Sequence, residues 1–214
     1  TMHFIDLHEN QIYIRLAVTD NRDLKLLHFS ALPLKEEDLV AEAIPEGFPF
    51  LSINLSGFDR PYERHGNKYI VTAPGYRMKY LSHSDERNEY GRLITFHTKD
   101  EETGGTPDSF WQFYDGLPVI RIWHTVTNNG TEAQTLEYIA NFHYEGIEKE
   151  GSLSRDEKLK IRIPHNGWQR ELNWKTYTFP ELGMELVQEP SIQRSSNHLH
   201  NSNNGNWSAK EDLP

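Results

Sequence analysis

Apolar residues at every second position mark the start of this chain. Between residues 12 and 18, isoleucine, leucine and valine alternate with other residues, which is the period of a strand with one buried face. A polar turn at 20–23 follows, and a second apolar run spans 24–29. The acidic stretch 36–42 predicts a short helical turn or a loop. Similar patterns predict strands at 68–72, 78–83, 92–98, 158–163 and 174–179.

The strongest local pattern predicts a hairpin in the middle of the chain. Residues 117–126 and 134–144 are rich in β-branched and aromatic side chains, and Asn129-Gly130 lies between them. Asn and Gly tolerate the positive φ angles that tight hairpin turns require. The two runs are therefore expected to pair with each other. The Gly- and Pro-containing segment 104–107 predicts a loop instead.

These patterns together indicate an all-β protein. No stretch has the period of a long helix, whereas ten or more short strands alternate with turns, as in a sandwich of antiparallel strands. No linker or internal repeat divides the chain, so a single domain over residues 1–214 is expected. Five Trp, ten Tyr and ten Phe suit half-buried strands, and their rings would also suit contact with sugars.

Charge and composition exclude several classes of function. The net charge of -10 disfavours nucleic-acid binding, because an acidic surface repels phosphates. No apolar run approaches 18 residues, so no membrane span is expected, and no secretion signal is recognisable. The chain has no Cys, which excludes disulfides and thiolate zinc sites. A cytoplasmic location is the natural expectation.

Motifs for catalysis or cofactor binding are missing from the sequence. His198 and His200 would share a face of a strand, but no third ligand lies nearby, so hydrogen bonding in a loop is favoured over metal binding. No nucleophile elbow and no phosphate-binding loop occur. The acidic clusters 36–38 and 100–102 are interpreted as solvated loops. We therefore expect no catalytic residue, no metal and no cofactor in this chain.

One acidic residue has a more suggestive setting. Asp59 lies in the segment Gly57-Phe58-Asp59-Arg60-Pro61, bounded by Gly and Pro. An ionised Asp in such a loop could accept charge-assisted hydrogen bonds from neighbouring sugar hydroxyls. The alternative is an Asp that caps its own turn, which the residues alone favour.

Several segments taken in order resemble the N-terminal domain of family 36 glycoside hydrolases, the bacterial α-galactosidases. No single motif carries the resemblance, which rests on order and spacing across nearly the whole chain. The segments are Gly57-Phe58-Asp59-Arg60, Met78–His83, Gly116–Val119, Val126–Gly130 running on to Leu136, Ser195–His198 and Asn206–Pro214.

The resemblance implies a fold, a parent activity and a fragment. The fold would be a β-supersandwich similar to galactose mutarotase, preceding a (β/α)₈ barrel. In such enzymes the barrel carries two Asp residues for retaining hydrolysis of terminal α-galactosides such as melibiose and raffinose. This chain would then be inactive alone, lack its last strands, and belong to a protein that is a homo-oligomer at full length.

The resemblance also implies sugar contacts within this chain. Some members of the family use an Asp of the N-terminal domain in the substrate pocket, and Asp59 is the position that matches best. Some also place an aromatic residue of this domain near the sugar. Trp207 is the principal candidate here, with Trp168 and Trp174 as others.

Two other functions stay open at this point. A free-standing carbohydrate-binding sandwich would need exposed coplanar aromatic rings on one sheet face. A mutarotase-like epimerase would need a His and a Glu that converge in a concave sheet, for which His124, His143 and Glu145 are candidates.

Overall fold

The computed structural model describes residues 1–47, 49–58, 73–144, 147, 152–165, 170–184 and 199. The chain divides into two compact units. Unit 1 comprises Thr1–Glu63 and Lys68–Glu145, and unit 2 comprises Arg64–Asn67 and Gly146–Pro214. The assignment of residues 1–214 to one domain stays a prediction.

Unit 1 is built from three antiparallel sheets. The first contains β1 (His3–Glu9), β2 (Ile12–Val18) and β3 (Leu24–Ser30) in that order. The second contains four strands in chain order, β5 (Lys79–Arg87), β6 (Arg92–Lys99), β7 (Gly105–Tyr114) and β8 (Leu117–Asn128). The third pairs β4 (Ile53–Leu55) with β9 (Leu136–Ile139), and the short helix α1 (Ala73–Arg77) precedes β5.

Unit 2 has fewer described elements. The helix α2 (Arg155–Lys158) leads into β10 (Lys160–His165), which pairs antiparallel with β11 (Asn173–Thr178). Two 3-10 helices, Glu36–Asp38 and Ala41–Glu46, belong to unit 1, and a third, Pro180–Leu182, belongs to unit 2. Within the described ranges, no helix is long and apolar enough to cross a membrane.

The three-stranded and four-stranded sheets of unit 1 enclose one core. Alternation places Leu16 of β2 and Phe96 of β6 on buried faces with no exposed surface. The indole of Trp111 on β7 lies edge-on to Phe29 of β3, with ring centroids 6.2 Å apart, and stacks on Phe50 at 5.7 Å. The predicted all-β sandwich of antiparallel sheets is therefore confirmed.

The turns at one end of unit 1 tie these two sheets together. The two-residue turn between β1 and β2 places Asn10 and Gln11 at positive φ, as tight hairpins require. Asn10 then donates from its amide to the Tyr114 carbonyl at 2.7 Å and accepts from the Gly116 N–H at 3.3 Å. Asn10, in the turn of the first sheet, thus provides hydrogen-bond partners for two backbone groups of the β7–β8 turn in the second sheet.

The predicted hairpin between residues 117–126 and 134–144 is wrong. Both runs contain strands, but β8 pairs with β7, and β9 pairs with β4. The Asn129 N–H donates to the Gly104 carbonyl at 3.1 Å, and a Cβ on Gly130 would collide with the Thr103 carbonyl. The Asn-Gly segment therefore packs against the β6–β7 loop, and the chain does not turn back along β8.

The loop predicted at 104–107 is also wrong, because β7 begins at Gly105. Pro107 is buried within the strand and pairs with Val126 of β8. Pairing of β7 with β6 starts only at Asp108, so the proline lies where one neighbouring strand needs no N–H from it. The Thr98 hydroxyl donates to the Pro107 carbonyl at 2.8 Å instead.

Candidate functional site

Most residues singled out by the sequence lie outside the described part of the chain. This holds for Asp59 and Trp207, the two expected sugar contacts, and for Trp168 and the His198/His200 pair. Their roles stay predictions. Trp174 is described: it lies on β11 of unit 2 with 53% of its surface exposed.

The described chain reaches Asp59 through a tight turn after β4. The Phe58 N–H donates to the Leu55 carbonyl at 3.2 Å, and Gly57 between them has a φ of 87°. A glycine suits this conformation, which strains residues that carry a Cβ. The Phe58 ring packs partly buried against the core. The residue before Asp59 is thereby fixed within unit 1.

Arg77, the last residue of α1, links this turn to the β6–β7 loop. Its guanidinium carbon lies 5.1 Å from the centroid of the Phe58 ring, within the range of cation–π attraction. Its Nε and Nη2 atoms donate to the two carboxylate oxygens of Asp100 at 3.1 and 2.9 Å. Nη1 lies 3.1 Å from the Glu102 carboxylate. The hydrogen bonds to Asp100 raise the pKa of Arg77, so its guanidinium group stays protonated.

Asp100 is a buried anion with every oxygen engaged. It is 1% exposed and also accepts from the Thr103 hydroxyl at 2.7 Å and the Glu102 N–H at 3.3 Å. Burial by itself would raise the pKa of Asp100, but the hydrogen bonds from Arg77 and Thr103 and the charge of Arg77 outweigh it. The pKa of Asp100 therefore lies below its ordinary value. The solvated-loop interpretation is wrong for Asp100 and holds for the exposed side chains of Glu101 and Glu102.

A mainly apolar cleft of about 140 Å³ adjoins the Arg77–Asp100 pair. Its polar lining consists of Asp100, Thr103, Thr127, Asn128 and Gln134, and the ends of β8 and β9 contribute to its walls. Its apolar lining residues are Ile53, Leu55, Pro74, Met78, Pro107, Val126 and Leu136. Because the Asp100 carboxylate is saturated with donors, the cleft offers shape and apolar contact and no free acid or base.

Two other carboxyl groups in the described chain, those of Asp85 and Glu157, also have lowered pKa values. The pKa of Asp85 is lowered, first by its hydrogen bond from Arg92, and the pKa of Glu157 is lowered by its hydrogen bonds from Ser154. A general acid needs a raised pKa to hold its proton at neutral pH. These groups are anions there, so they are not suited to protonating a leaving group. Among the described residues, no group of three or more His, Cys, Asp or Glu could hold a metal ion.

His124, a candidate base of the epimerase alternative, is committed to structural bonds. Its Nε2 lies 3.0 Å from the Asn141 carbonyl, so this nitrogen carries the proton, and Nδ1 accepts from the buried Ser109 hydroxyl at 2.7 Å. His143 has a different neighbour, with its Nδ1 3.3 Å from the Ser52 hydroxyl. Glu145 lies outside the described residues. Neither ring nitrogen of His124 is left to act as a base.

The half-buried imidazole of His124 predicts a pH dependence of stability. Burial lowers the pKa of His124 below its ordinary value of 6.5. The unfolded chain therefore takes up a proton near pH 6.5 while the native state does not, so stability should fall as the pH drops from about 7.5 to 5.5. We expect His124→Gln to flatten this slope in urea unfolding followed at several pH values. The exposed His3→Gln should keep the wild-type slope, and equal slopes in all three proteins would contradict the prediction.

One aromatic pair bears on the carbohydrate-binding alternative. Phe110 of β7 and Trp123 of β8 lie on the sheet face away from the core, with ring centroids 5.2 Å apart and planes 8° apart. The guanidinium carbon of Arg121 lies 5.5 Å from the Trp123 ring. The two rings are parallel but stacked on each other, so they do not form the side-by-side platform that this alternative requires.

The Arg77–Asp100 anchor could not be recognised from local sequence. Arg77 follows a Pro-Gly turn signal and Asp100 opens an acidic run, and 22 residues separate them. Only the packing of α1 against the β6–β7 loop brings them together. No family model matches the chain, and no curated protein matches it at a significant level.

Proposed function

We propose that this chain is the N-terminal β-sandwich of a retaining α-galactosidase. In this proposal the sandwich supports a separate catalytic barrel and takes no part in bond cleavage. The parent enzyme would hydrolyse terminal α-D-galactosyl residues of melibiose and raffinose, using two Asp residues of the barrel. A cytoplasmic, homo-oligomeric protein completes the proposal.

The distribution of the family-like segments carries this proposal. Four of them have described residues, and all four belong to unit 1: Gly57–Phe58 after β4, Met78–His83 at the start of β5, Gly116–Val119 at the β7–β8 turn, and Val126–Gly130 at the end of β8. Three of them are turns or strand ends with mostly exposed residues, whereas Met78–His83 begins with a side chain that is buried in the core. The remaining two segments, Ser195–His198 and Asn206–Pro214, belong to unit 2. The resemblance thus rests on several segments and not on a single short motif.

The chemistry of the described residues favours a structural role for this chain over a catalytic one. Asp100 and Asp85 are held as anions by arginines, and both nitrogens of His124 are engaged. The turn of residues 55–58, which we call the Phe58 turn, contacts Arg77 through the Phe58 ring. Asp59 is the next residue in the chain. In the proposal, Asp59 and Trp207 contribute contacts to the edge of the galactose pocket.

Hydrolysis assays test the proposal directly. The protein encoded by the complete gene should release galactose from melibiose and from p-nitrophenyl α-D-galactoside, with α-galactose as the first product seen by NMR. The 214-residue chain alone should release none. Asp59→Asn in the complete protein should raise KM about tenfold, because a charge-assisted hydrogen bond to substrate is lost. The exposed Asp20→Asn should match wild type.

Two results would contradict the proposal. Hydrolysis of α-glucosides but not α-galactosides by the complete protein would remove the substrate assignment. Release of galactose by the 214-residue chain would show that the sandwich carries its own catalytic groups.

A further inference from the structure

A cleft of about 220 Å³, lined by both polar and apolar residues, lies on the outer face of the three-stranded sheet, away from the core. The pairing of the strands builds it. Asp6 faces Arg15 and Arg15 faces His28 in one cross-strand row, while His8 faces Tyr13 in the next row. The 3-10 helix after β3 adds Glu36 at the rim. These six side chains define what we call the Arg15 cleft.

Arg15 organises the acceptors of the Arg15 cleft. Its Nε and Nη2 donate to the two oxygens of Asp6 at 2.6 and 3.0 Å, and its Nη1 donates to both oxygens of Glu36 at 2.8 and 3.0 Å. The Arg15 side chain is only 16% exposed, while the side chains of Asp6 and Glu36 are 59% and 73% exposed. One largely buried cation thus holds two carboxylates in place, and each carboxylate keeps lone pairs for a further donor.

Two stacked rings form another wall of the Arg15 cleft. The imidazole of His8 and the phenol of Tyr13 lie with ring centroids 4.0 Å apart and planes 15° apart. His8 is exposed and Tyr13 is half-buried, so the pair stands at the surface, and both residues line the cleft together with Asp6 and Glu36. An apolar ring surface beside fixed hydrogen-bonding groups is the usual composition of a small-ligand site.

The balance of charge selects the ligand class. Two carboxylates repel an anion, and Arg15 already neutralises much of the field that would attract a cation. A neutral ligand with many hydroxyl donors satisfies the free carboxylate lone pairs and can lay its C–H face against the exposed imidazole of His8; because His8 and Tyr13 stack on each other, they offer one ring face and not a two-ring platform. The volume lies below the roughly 300 Å³ at which sites for drug-sized ligands begin, which suits one sugar ring.

We propose that the Arg15 cleft binds one galactosyl ring of a galactoside, at a site separate from the Phe58 turn. Asp6 and Glu36 accept from sugar hydroxyls, and the exposed His8 ring of the stacked pair contacts the sugar ring face. The choice of galactose among sugars rests on the proposed function. The choice of a neutral sugar rests on the cleft alone.

Titration of the ¹⁵N-labelled 214-residue chain with methyl α-D-galactoside tests the proposal. Saturable shifts should centre on the amides of His8, Tyr13 and Glu36. Glu36→Gln should weaken binding about tenfold, because a neutral amide replaces a charged acceptor. Glu37→Gln is the matched control: it is exposed on the same 3-10 helix and does not line the cleft, so binding should stay within about twofold of wild type.

The outcomes separate this inference from the proposed function. Absence of saturable shifts would overturn the proposal of sugar binding in the Arg15 cleft, even if the complete protein hydrolyses melibiose. So would an equal loss of galactoside affinity in Glu36→Gln and Glu37→Gln. Equal affinity for methyl α-D-glucoside would overturn the galactose assignment. Galactoside binding that depends on Glu36 supports the cleft whatever the hydrolysis assays give.

Discussion

Replacement of Trp111 by Ala is expected to lower the free energy of unfolding by about 4 kcal/mol. Trp111 is 1% exposed, and its indole contacts the rings of Phe29, Phe50 and Phe96 across the core of unit 1. Removing it leaves a cavity that three fixed aromatic rings cannot fill, so the lost contacts and the cavity both contribute. Urea unfolding followed by circular dichroism measures the loss as a shift of the midpoint.

A second substitution at this position separates packing from hydrogen bonding. The buried Trp111 Nε1 atom has no hydrogen-bond partner among the described residues, so Trp111→Phe removes an unsatisfied donor as well as part of the ring. We expect Trp111→Phe to cost about 1–2 kcal/mol, well below the Ala variant. Exposed Trp174→Ala should cost under about 1 kcal/mol. Similar losses for Trp111→Phe and Trp111→Ala would show that the ring stack is not the source of stability.

The strands that could be predicted from the sequence are those with regular alternation. β2 buries Ile12, Ile14, Leu16 and Val18, and β6 buries Ile94, Phe96 and Thr98, so a period of two underlies both strands although Ala17 and Thr95 are buried as well. β7 was missed although it supplies Trp111 and Phe113 to the core, because its first residues are Gly, Thr and Pro. Local turn chemistry suggested a loop, and tertiary pairing with β8 overrides that suggestion.

Pairing of strands could not be predicted even where the strands could. Residues 117–126 and the run from 134 were both recognised as extended, yet β8 pairs through the turn at Gly116 with β7. An Asn-Gly turn favours a hairpin only when the chain beyond it continues along the same strand. Here Gly130 is held against the β6–β7 loop, and that contact depends on Thr103, 27 positions earlier in the chain.

The candidate site shows the same division between local and tertiary information. Gly57 and Phe58 were singled out from sequence, and the structure gives them a defined turn. The burial of Asp100 inside an acidic run follows from the packing of Arg77 and has no local signal. Asp59 and Trp207 stay predictions, because they lie outside the described residues.

Replacement of Arg77 by Met is expected to lower the free energy of unfolding by about 3 kcal/mol at pH 7. The substitution keeps the length of the side chain but leaves the Asp100 carboxylate buried without its bidentate partner. The exposed pair of Arg87 and Asp115 provides the matched control, since both side chains are more than half exposed. Arg87→Met should cost much less than Arg77→Met, because solvent screens an exposed ion pair.

The pH dependence of the Arg77→Met loss identifies its cause. In the wild type the pKa of Asp100 is lowered, so its contribution to stability is present at neutral pH and disappears only as the pH falls through that lowered pKa. Without Arg77, burial is opposed only by Thr103 and a backbone N–H, so the pKa of Asp100 rises and the carboxyl takes up its proton earlier. The difference between variant and wild type should therefore shrink as the pH is lowered from about 7 towards 4.

A double variant completes this test. Arg77→Met combined with Asp100→Asn removes the buried charge together with its partner, so it should recover much of the loss at pH 7 and show little change of the remainder with pH. A loss in Arg77→Met that stays constant with pH, and that the Asn substitution does not relieve, would mean that Arg77 stabilises unit 1 through its contact with Phe58 and not through Asp100. In that case the Phe58 turn, and not the buried carboxylate, would be the element that Arg77 holds in place.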